Sequence, residues 1–240
     1  MKAMFALPLV ALALSACDRS DPPAAKMERA AEELVEEVEG EDLPQQAEGP
    51  YAPRDECTDQ PGAAAFLQQL RRAVDARDAE AVAALAAEDV RLATGEDGDR
   101  AQMVAALESR EGDRWSALED AMAMGCASDG ATMTMPWYFA QEIVGDGVDR
   151  YIVTGEDIPI RAEAAPDSDL VARLSWVAVT VPEDGPRQPD RTFITWNDAD
   201  TGREESGYIA RHDLRAVSDY RLQASRRNDR WRITQFVAGD

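Results

Sequence analysis

Residues 220–237 of the chain read YRLQASRRNDRWRITQFV. Two strand-like runs, 220–225 and 231–237, flank Asn228-Asp229, a residue pair that accepts the backbone of a tight turn. The stretch therefore predicts a β-hairpin. The rest of the sequence allows two architectures, and they differ in the segment against which this hairpin packs.

Upstream of the hairpin, short β-branched and aromatic runs bounded by turn residues predict strands at 151–153, 158–160, 170–181, 192–196 and 207–210. Residues 151–215 resemble a bacterial SH3 domain. The counterparts of that family's frame are Gly155, Ile158, Ile160, Arg161, Pro166, Leu170 to Leu174, Phe193 to Trp196, Gly207-Tyr208-Ile209 and Leu214. Pro159 and the run 162–165, AEAA, stand where the family usually has an asparagine and a glycine-proline pair. This departure concerns ligand binding more than the fold.

The SH3 resemblance implies a β-barrel that holds cell-wall peptides or other envelope partners. A groove of that kind needs aromatic rings for stacking and a few polar groups for orientation. The predicted ligand-binding residues are Tyr151, Arg161, Trp176, Trp196 and Tyr208. The alternative for the four aromatic residues is a place in the barrel core or in an inter-domain contact.

The hairpin also carries a second resemblance. Trp231-Arg232-Ile233-Thr234 is similar to the last strand of an NTF2-like cone fold, and residues 73–78 through 88–90 are similar to its opening helices. This resemblance implies that the hairpin returns to pack on the helical segment, with the SH3-like module between them. It also implies an enzyme or small-ligand-binding protein with a deep pocket lined by residues 61–107 and 220–237.

Residues 57–126 predict a small helical domain, because apolar residues recur at helical spacing in four runs. Asp78, Asp99 and Asp113 each stand where they can cap a helix, and Gln102 can complete a capping box with Asp99. Residues 127–150 form a connector. Its densest apolar patch, MPWYF at 135–139, is predicted to pack between the two halves, with an exposed aromatic site as the alternative.

The front of the chain looks like an export signal. A lysine, an apolar run and a small-residue site precede Cys17, and Leu14-Ser15-Ala16-Cys17 resembles the lipobox of bacterial lipoproteins. The resemblance implies that residues 1–16 are a signal peptide and that Cys17 is lipidated. A transmembrane anchor would need about 20 apolar residues, and an ordinary secretory signal needs no cysteine there. Asp18 resembles an inner-membrane retention signal, but the choice between inner and outer membrane stays open.

Residues 17–56 are therefore predicted to be a lipid anchor and an acidic flexible tether on the periplasmic side. Cys57 and Cys126 remain as an even pair in an oxidising compartment. They predict a disulfide between the end of the fourth helix and the start of the first, with two free thiols as the alternative.

Composition excludes several functions. The formal net charge of −22 argues against nucleic acid and against a broad electrostatic hold on anionic lipids. A single histidine, His212, excludes a multi-histidine metal site. The chain also lacks a Gly-rich phosphate loop and a Gly-x-Ser-x-Gly motif. The sequence therefore predicts no catalytic residues, no metal and no cofactor.

Together these features predict an α+β protein, with a small helical domain and connector at 57–150. An SH3-like β-barrel with a C-terminal hairpin follows at 151–240. The predicted function is non-enzymatic binding or scaffolding by a lipid-anchored envelope protein, with peptidoglycan or an envelope protein as partner. The alternative is the enzyme or small-ligand-binding protein with an NTF2-like pocket.

Overall fold

The computed structural model describes residues 47–93, 97–110, 112–143, 149–186 and 188–239. The predicted signal peptide, Cys17, Asp18 and the tether up to residue 46 lie outside these ranges. Within them, no helix combines the length and the apolar character needed to cross a membrane.

Four helices and twelve strands make up the described fold, with short 3-10 helices at Trp137–Ala140 and Arg211–Asp213. Helices α1 to α4 span Ala63–Asp75, Ala79–Leu85, Arg100–Glu108 and Arg114–Ala123. Strands β1 to β6 span Ala86–Arg91, Ala127–Ser128, Thr132–Met135, Arg150–Val153, Ile158–Arg161 and Leu170–Leu174. Strands β7 to β12 span Ala178–Thr180, Arg191–Asn197, Glu204–Ala210, Leu214–Ala216, Arg221–Arg227 and Arg230–Val237.

The predicted helix caps are confirmed. Asp78 and Asp113 each accept a hydrogen bond from the backbone N–H three residues further on, at 2.9 and 3.0 Å. Asp99 and Gln102 form the complete capping box. These side chains satisfy N–H groups that a helix leaves without partners in its first turn, so they fix where α2, α3 and α4 begin.

The C-terminal hairpin lies inside a five-stranded sheet of order β1-β12-β11-β3-β2. β12 pairs in parallel with β1, and the other neighbours are antiparallel. Apolar side chains of the hairpin, among them Leu222 and Phe236, join Leu70, Met103 and Leu118 of the helices in one buried cluster. Hence the hairpin packs on the helical segment, which is the arrangement that the second resemblance implies.

A second sheet is built from residues 150–216, between β3 and β11 in the sequence. Its order is β10-β4-β7-β8-β9-β5-β6, with every pairing antiparallel. Its own core contains Val153, Ile160, Ile194, Trp196 and Ile209. β10 and β6 are its edges and do not pair with each other, so this sheet is open.

The predicted fold class, a helical domain followed by an SH3-like barrel with an appended hairpin, is therefore wrong. The helices do not form a domain alone, because their buried faces pack against β11 and β12. Strand periodicity located most strands of the second sheet. It carries no information about which distant strands pair, and that pairing determines whether a sheet closes.

A third cluster joins the two sheets. Trp137 and Tyr138 of the predicted apolar patch pack with Ile152 of β4, Ala127 of β2 and Trp176. The indole Nε1 of Trp137 donates a hydrogen bond to the Glu56 carboxylate at 2.8 Å. The prediction that residues 135–139 pack between the two halves is thereby confirmed.

Candidate functional site

The five predicted ligand-binding residues do not form one site. Trp196 is only 6% exposed and belongs to the core of the second sheet. Trp176 packs in the cluster between the sheets. Arg161 and Tyr208 are register partners on β5 and β9, and the Arg161 guanidinium donates to the Ser168 carbonyl at 2.7 Å.

Tyr151 alone of the five lines a groove on the second sheet, which we call the sheet groove. Tyr208 does not line the sheet groove, but its ring makes an edge-on contact with the ring of Phe193, a lining residue, at 5.4 Å between ring centroids. The sheet groove encloses about 650 Å³ and is lined mainly by Asp149, Tyr151, Val181, Pro182, Glu183, Gly185, Pro186, Gln188, Arg191, Thr192, Phe193, Arg211 and Leu214. Its lining includes aromatic and aliphatic side chains, and its charged groups are two carboxylates and two guanidiniums.

A different groove lies where the helical segment meets the hairpin. It encloses about 730 Å³ and is lined by Ala87, Glu88, Asp89, Arg100, Arg227, Asn228, Arg230 and Arg232. We call it the arginine groove. All of its lining residues come from the two segments that the NTF2-like alternative assigns to a pocket, but the groove is open and polar rather than deep.

The hairpin turn determines how the arginines face one another. Asn228 and Asp229 both have positive φ angles, 49° and 60°, as a type I′ turn requires. This two-residue turn places Arg227 directly opposite Arg230. Like charges directly opposite on paired strands are destabilising. The hairpin therefore bears an electrostatic cost at its tip.

Two of the arginines support the end of helix α2. Arg100 donates from Nε and Nη2 to the Ala86 carbonyl, at 2.9 and 2.7 Å, and Arg232 donates to the Ala84 carbonyl at 2.8 Å. Helix α2 has no basic residue in its own last turn. The two guanidiniums thus supply donors for carbonyls at a helix C-terminus, where cations are favoured.

Arg227 has an acidic partner. Its Nη1 lies 2.5 Å from Oδ1 of Asp89, and the two side chains are 47% and 61% exposed. The hydrogen bond from Arg227 lowers the pKa of Asp89. Asp89 therefore stays ionised over the neutral pH range and offsets part of the positive charge.

The Arg230 side chain is exposed, and it makes no hydrogen bond or ion pair with the residues that the structure describes. Arg100 and Arg232 use only some of their five N–H donors. The arginine groove thus gathers four arginines against the carboxylates of Glu88 and Asp89, in a chain whose formal net charge is −22.

The NTF2-like alternative named the two segments that form this groove, but sequence reasoning singled out none of its arginines. The run RRNDRWR at 226–232 does show a local concentration of arginine in an acidic chain. That signal gains meaning only when the turn and the pairing with β1 are known, because the other side of the groove is formed by Ala87, Glu88, Asp89 and Arg100.

The two other groups singled out in the sequence lie elsewhere. Cys57 and Cys126 are joined by a disulfide with their Cα atoms 5.8 Å apart. His212 has an 83% exposed side chain, with its Nε2 atom 3.5 Å from the Asp213 carboxylate. Neither group lines the sheet groove or the arginine groove.

No family model matches the chain, and no curated protein matches it. The solved structures similar to it include two at 14% identity. One is an NTF2-like protein with a cystatin-like fold from Novosphingobium aromaticivorans; the match covers 88% of this chain and 86% of that chain, with a TM-score of 0.26. The other is described as a calcium/calmodulin dependent protein kinase II association domain from Xanthomonas campestris; the match covers 80% and 97%, with a TM-score of 0.27. TM-scores this low do not establish a shared fold, so we take fold and site from this chain's own topology and residues.

Proposed function

We propose that the protein binds a small anionic ligand, bearing phosphate or carboxylate groups, in the arginine groove. The observation that carries the proposal is the pair Arg227 and Arg230, which face each other across the hairpin turn, with a carboxylate partner, Asp89, on Arg227. A bound anion would relieve their repulsion. Guanidinium groups bind carboxylate and phosphate through paired, charge-assisted hydrogen bonds, so the chemistry of the groove fits such a ligand.

This proposal follows the small-ligand alternative of the sequence analysis. The helical segment and the hairpin meet in one sheet and one core, which supports placing a site where they join. We propose binding without catalysis, because the groove offers guanidiniums and two exposed carboxylates but no nucleophile paired with a base.

We further propose that a lipid on Cys17 holds the protein on the periplasmic face of a bacterial membrane. The support is the lipobox resemblance of residues 14–17. Cys17→Ser should abolish lipid attachment and signal-peptide cleavage before residue 17, so that an unprocessed precursor accumulates. Unchanged processing and membrane association would reject the anchor and leave the binding proposal untouched.

The binding proposal is tested by calorimetric titration of the full chain with inorganic phosphate and with citrate. Arg230→Gln should raise the dissociation constant at least fivefold, because Arg230 faces the groove and supports no carbonyl. The control is Arg203→Gln, an exposed arginine outside the groove that removes the same charge. It should leave the dissociation constant within twofold of the unmodified chain.

Two results would reject the proposal. The first is the absence of binding of either anion by the unmodified chain at low ionic strength. The second is equal weakening by Arg230→Gln and Arg203→Gln, which would mean that only overall charge matters. Loss of binding confined to Arg230→Gln supports a site in the groove.

Binding of a wall peptide in the sheet groove is a second candidate. The aromatic side chains of Tyr151 and Phe193 in its lining, together with two carboxylates and two guanidiniums, suit a ligand that carries both charges. Co-sedimentation with purified sacculi tests it. Glu183→Gln should weaken retention, whereas Glu204→Gln, outside the groove, should not. Absence of retention in all three proteins would reject this candidate.

A further inference from the structure

The two carboxylates of the arginine groove differ in their partners. Asp89 is paired with Arg227. The Glu88 side chain is exposed and lines the same groove, but it makes no hydrogen bond or ion pair with the residues that the structure describes. A carboxylate without a partner repels an anion that enters the groove, so a ligand with negative charge alone does not match the whole lining.

An irregularity in β1 brings both carboxylates into the groove. In a regular strand, consecutive side chains point to opposite faces, so Glu88 and Asp89 would not line one groove. The register of β1 with β12 shifts between Ala86 and Arg91, however, and the chain between these two residues leaves the regular ladder. Both carboxylates are exposed there and both line the arginine groove.

Three of the four arginines in the groove are already engaged. Arg100 and Arg232 donate to carbonyls at the end of α2, and Arg227 donates to a carboxylate. Arg230 has no such partner among the described residues. The charges that the described fold leaves without a partner in this groove are therefore one guanidinium, Arg230, and one carboxylate, Glu88.

We propose that the ligand of the arginine groove is zwitterionic, with a phosphate or carboxylate group bound by Arg230 and an ammonium group bound by Glu88. This inference rests on the proposed function, because it names the chemical class of the ligand for the same groove. A guanidinium presents a fork of N–H donors to phosphate or carboxylate oxygens, and a carboxylate accepts charge-assisted hydrogen bonds from an ammonium group. Each unpartnered charge of the groove thus gains a group of opposite charge.

Ligands with one kind of charge fit less of the groove. An anion without an ammonium group satisfies Arg230 but is repelled by Glu88. An amine without an anionic group satisfies Glu88 but is repelled by the guanidiniums. The Asn228 amide, which also lines the groove, can both donate and accept hydrogen bonds and suits a polar segment between the two charged groups.

Calorimetric titration of the full chain with two matched phosphate esters tests the inference. O-Phosphoethanolamine and ethyl phosphate differ only in the ammonium group. The unmodified chain should bind O-phosphoethanolamine at least about threefold more tightly, a modest preference because exposed charge pairs are weak. Glu88→Gln should remove this preference. It should also bind ethyl phosphate at least as tightly as the unmodified chain does, because the repulsion is gone.

Glu204→Gln is the matched control, since it removes the same charge from an exposed position outside the groove. It should keep the preference for O-phosphoethanolamine. Equal affinity of the unmodified chain for the two esters, or the same loss of preference in both variants, would overturn this inference. Ethyl phosphate would still bind in that case, and the proposed function would stand. Failure of both esters to bind would reject the proposed function together with the inference.

An anionic group and an ammonium group occur together both in free solutes and in the headgroup of a lipid. Glycerophosphoethanolamine, in which a phosphodiester joins ethanolamine to glycerol, distinguishes these sources. Binding at least as tight as that of O-phosphoethanolamine would assign a lipid headgroup, and weaker binding would assign a free solute with a terminal anionic group. With either source, loss of the ammonium preference confined to Glu88→Gln supports a zwitterionic ligand.

Discussion

Tyr138 is a fully buried titratable side chain in the cluster between the two sheets. Burial raises its pKa from 10.0 to about 12, and the nearby Arg215 opposes the shift only in part. Because the folded-state pKa is the higher one, the folded protein holds the phenolic proton more tightly than the unfolded chain. The free energy of unfolding should therefore be intact below pH 10 and fall as the pH rises from 10 to 12.

A shift of two pKa units corresponds to a loss of roughly 2–3 kcal/mol in the free energy of unfolding between pH 10 and 12. Tyr138→Phe removes the titrating group, so its stability should depend less on pH in this range. Urea unfolding at pH 9.5 and 11 measures the difference. Tyr51→Phe, at a partly buried position, is the control and should keep the full pH dependence.

Arg100 shows how a groove residue also serves the fold. Its two hydrogen bonds to the Ala86 carbonyl hold the end of α2 against the start of α3. Arg100→Met keeps most of the aliphatic stem but leaves that buried carbonyl without these charged donors. We expect a loss of about 1–3 kcal/mol in urea unfolding. Arg91→Met, at an exposed position on β1, should change stability by less than about 0.5 kcal/mol.

At the scale of elements, the stability of the hairpin depends on the conformation of its two turn residues. Asp229 has a φ of 60°, in the left-handed region that glycine adopts without strain. Asp229→Gly should raise the free energy of unfolding by about 0.5–1 kcal/mol, because Asn-Gly is the favoured type I′ pair. The exposed ion pair with Arg226 that it removes is worth little.

Asp229→Val is the matching test in the opposite direction. A β-branched side chain is strained at this φ, so a loss of about 1–2 kcal/mol is expected. Urea unfolding of the glycine and valine variants measures both changes in the free energy of unfolding. Equal stability of the glycine and valine variants would contradict the assigned turn.

The elements that the sequence predicted correctly are those specified by neighbouring residues. The turn at Asn228-Asp229 and the caps at Asp78, Asp99 and Asp113 each depend on contacts within a few positions. Trp196 shows the limit of such reasoning. An aromatic residue on a short strand suits a ligand groove or a core equally well. Trp196 is a core residue because its side chain packs in the same buried cluster as Ile194 and Ile209.

At the scale of the whole molecule, the disulfide spans 69 residues and ties the entry of the helical segment to its exit. Closing a loop of this length in the unfolded chain corresponds to about 4 kcal/mol of stability. The double variant Cys57→Ser/Cys126→Ser should lose about that much in urea unfolding. A loss below about 1 kcal/mol would mean that the unfolded chain is already compact without the bond.

The arrangement of the two sheets was beyond the reach of the sequence patterns for a physical reason. The groove residues Arg100 and Arg230 come from segments about 130 positions apart. The SH3 resemblance described a continuous stretch, whereas the chain leaves the first sheet after β3 and re-enters it at β11. Local periodicity identifies strands but not such an insertion.

The parallel pairing of β1 with β12 joins an early strand to the last described one, and this affects the order in which the sheets can form. Ala86 pairs with Ile233, so among the described strands β1 has no neighbour until about 150 further residues have been synthesised. At roughly 5–20 residues per second, that delay is on the order of ten seconds. During it the second sheet, whose pairings are all internal, can form by itself. The apolar residues of β1 and of the helices lack their partners on β12 for that time.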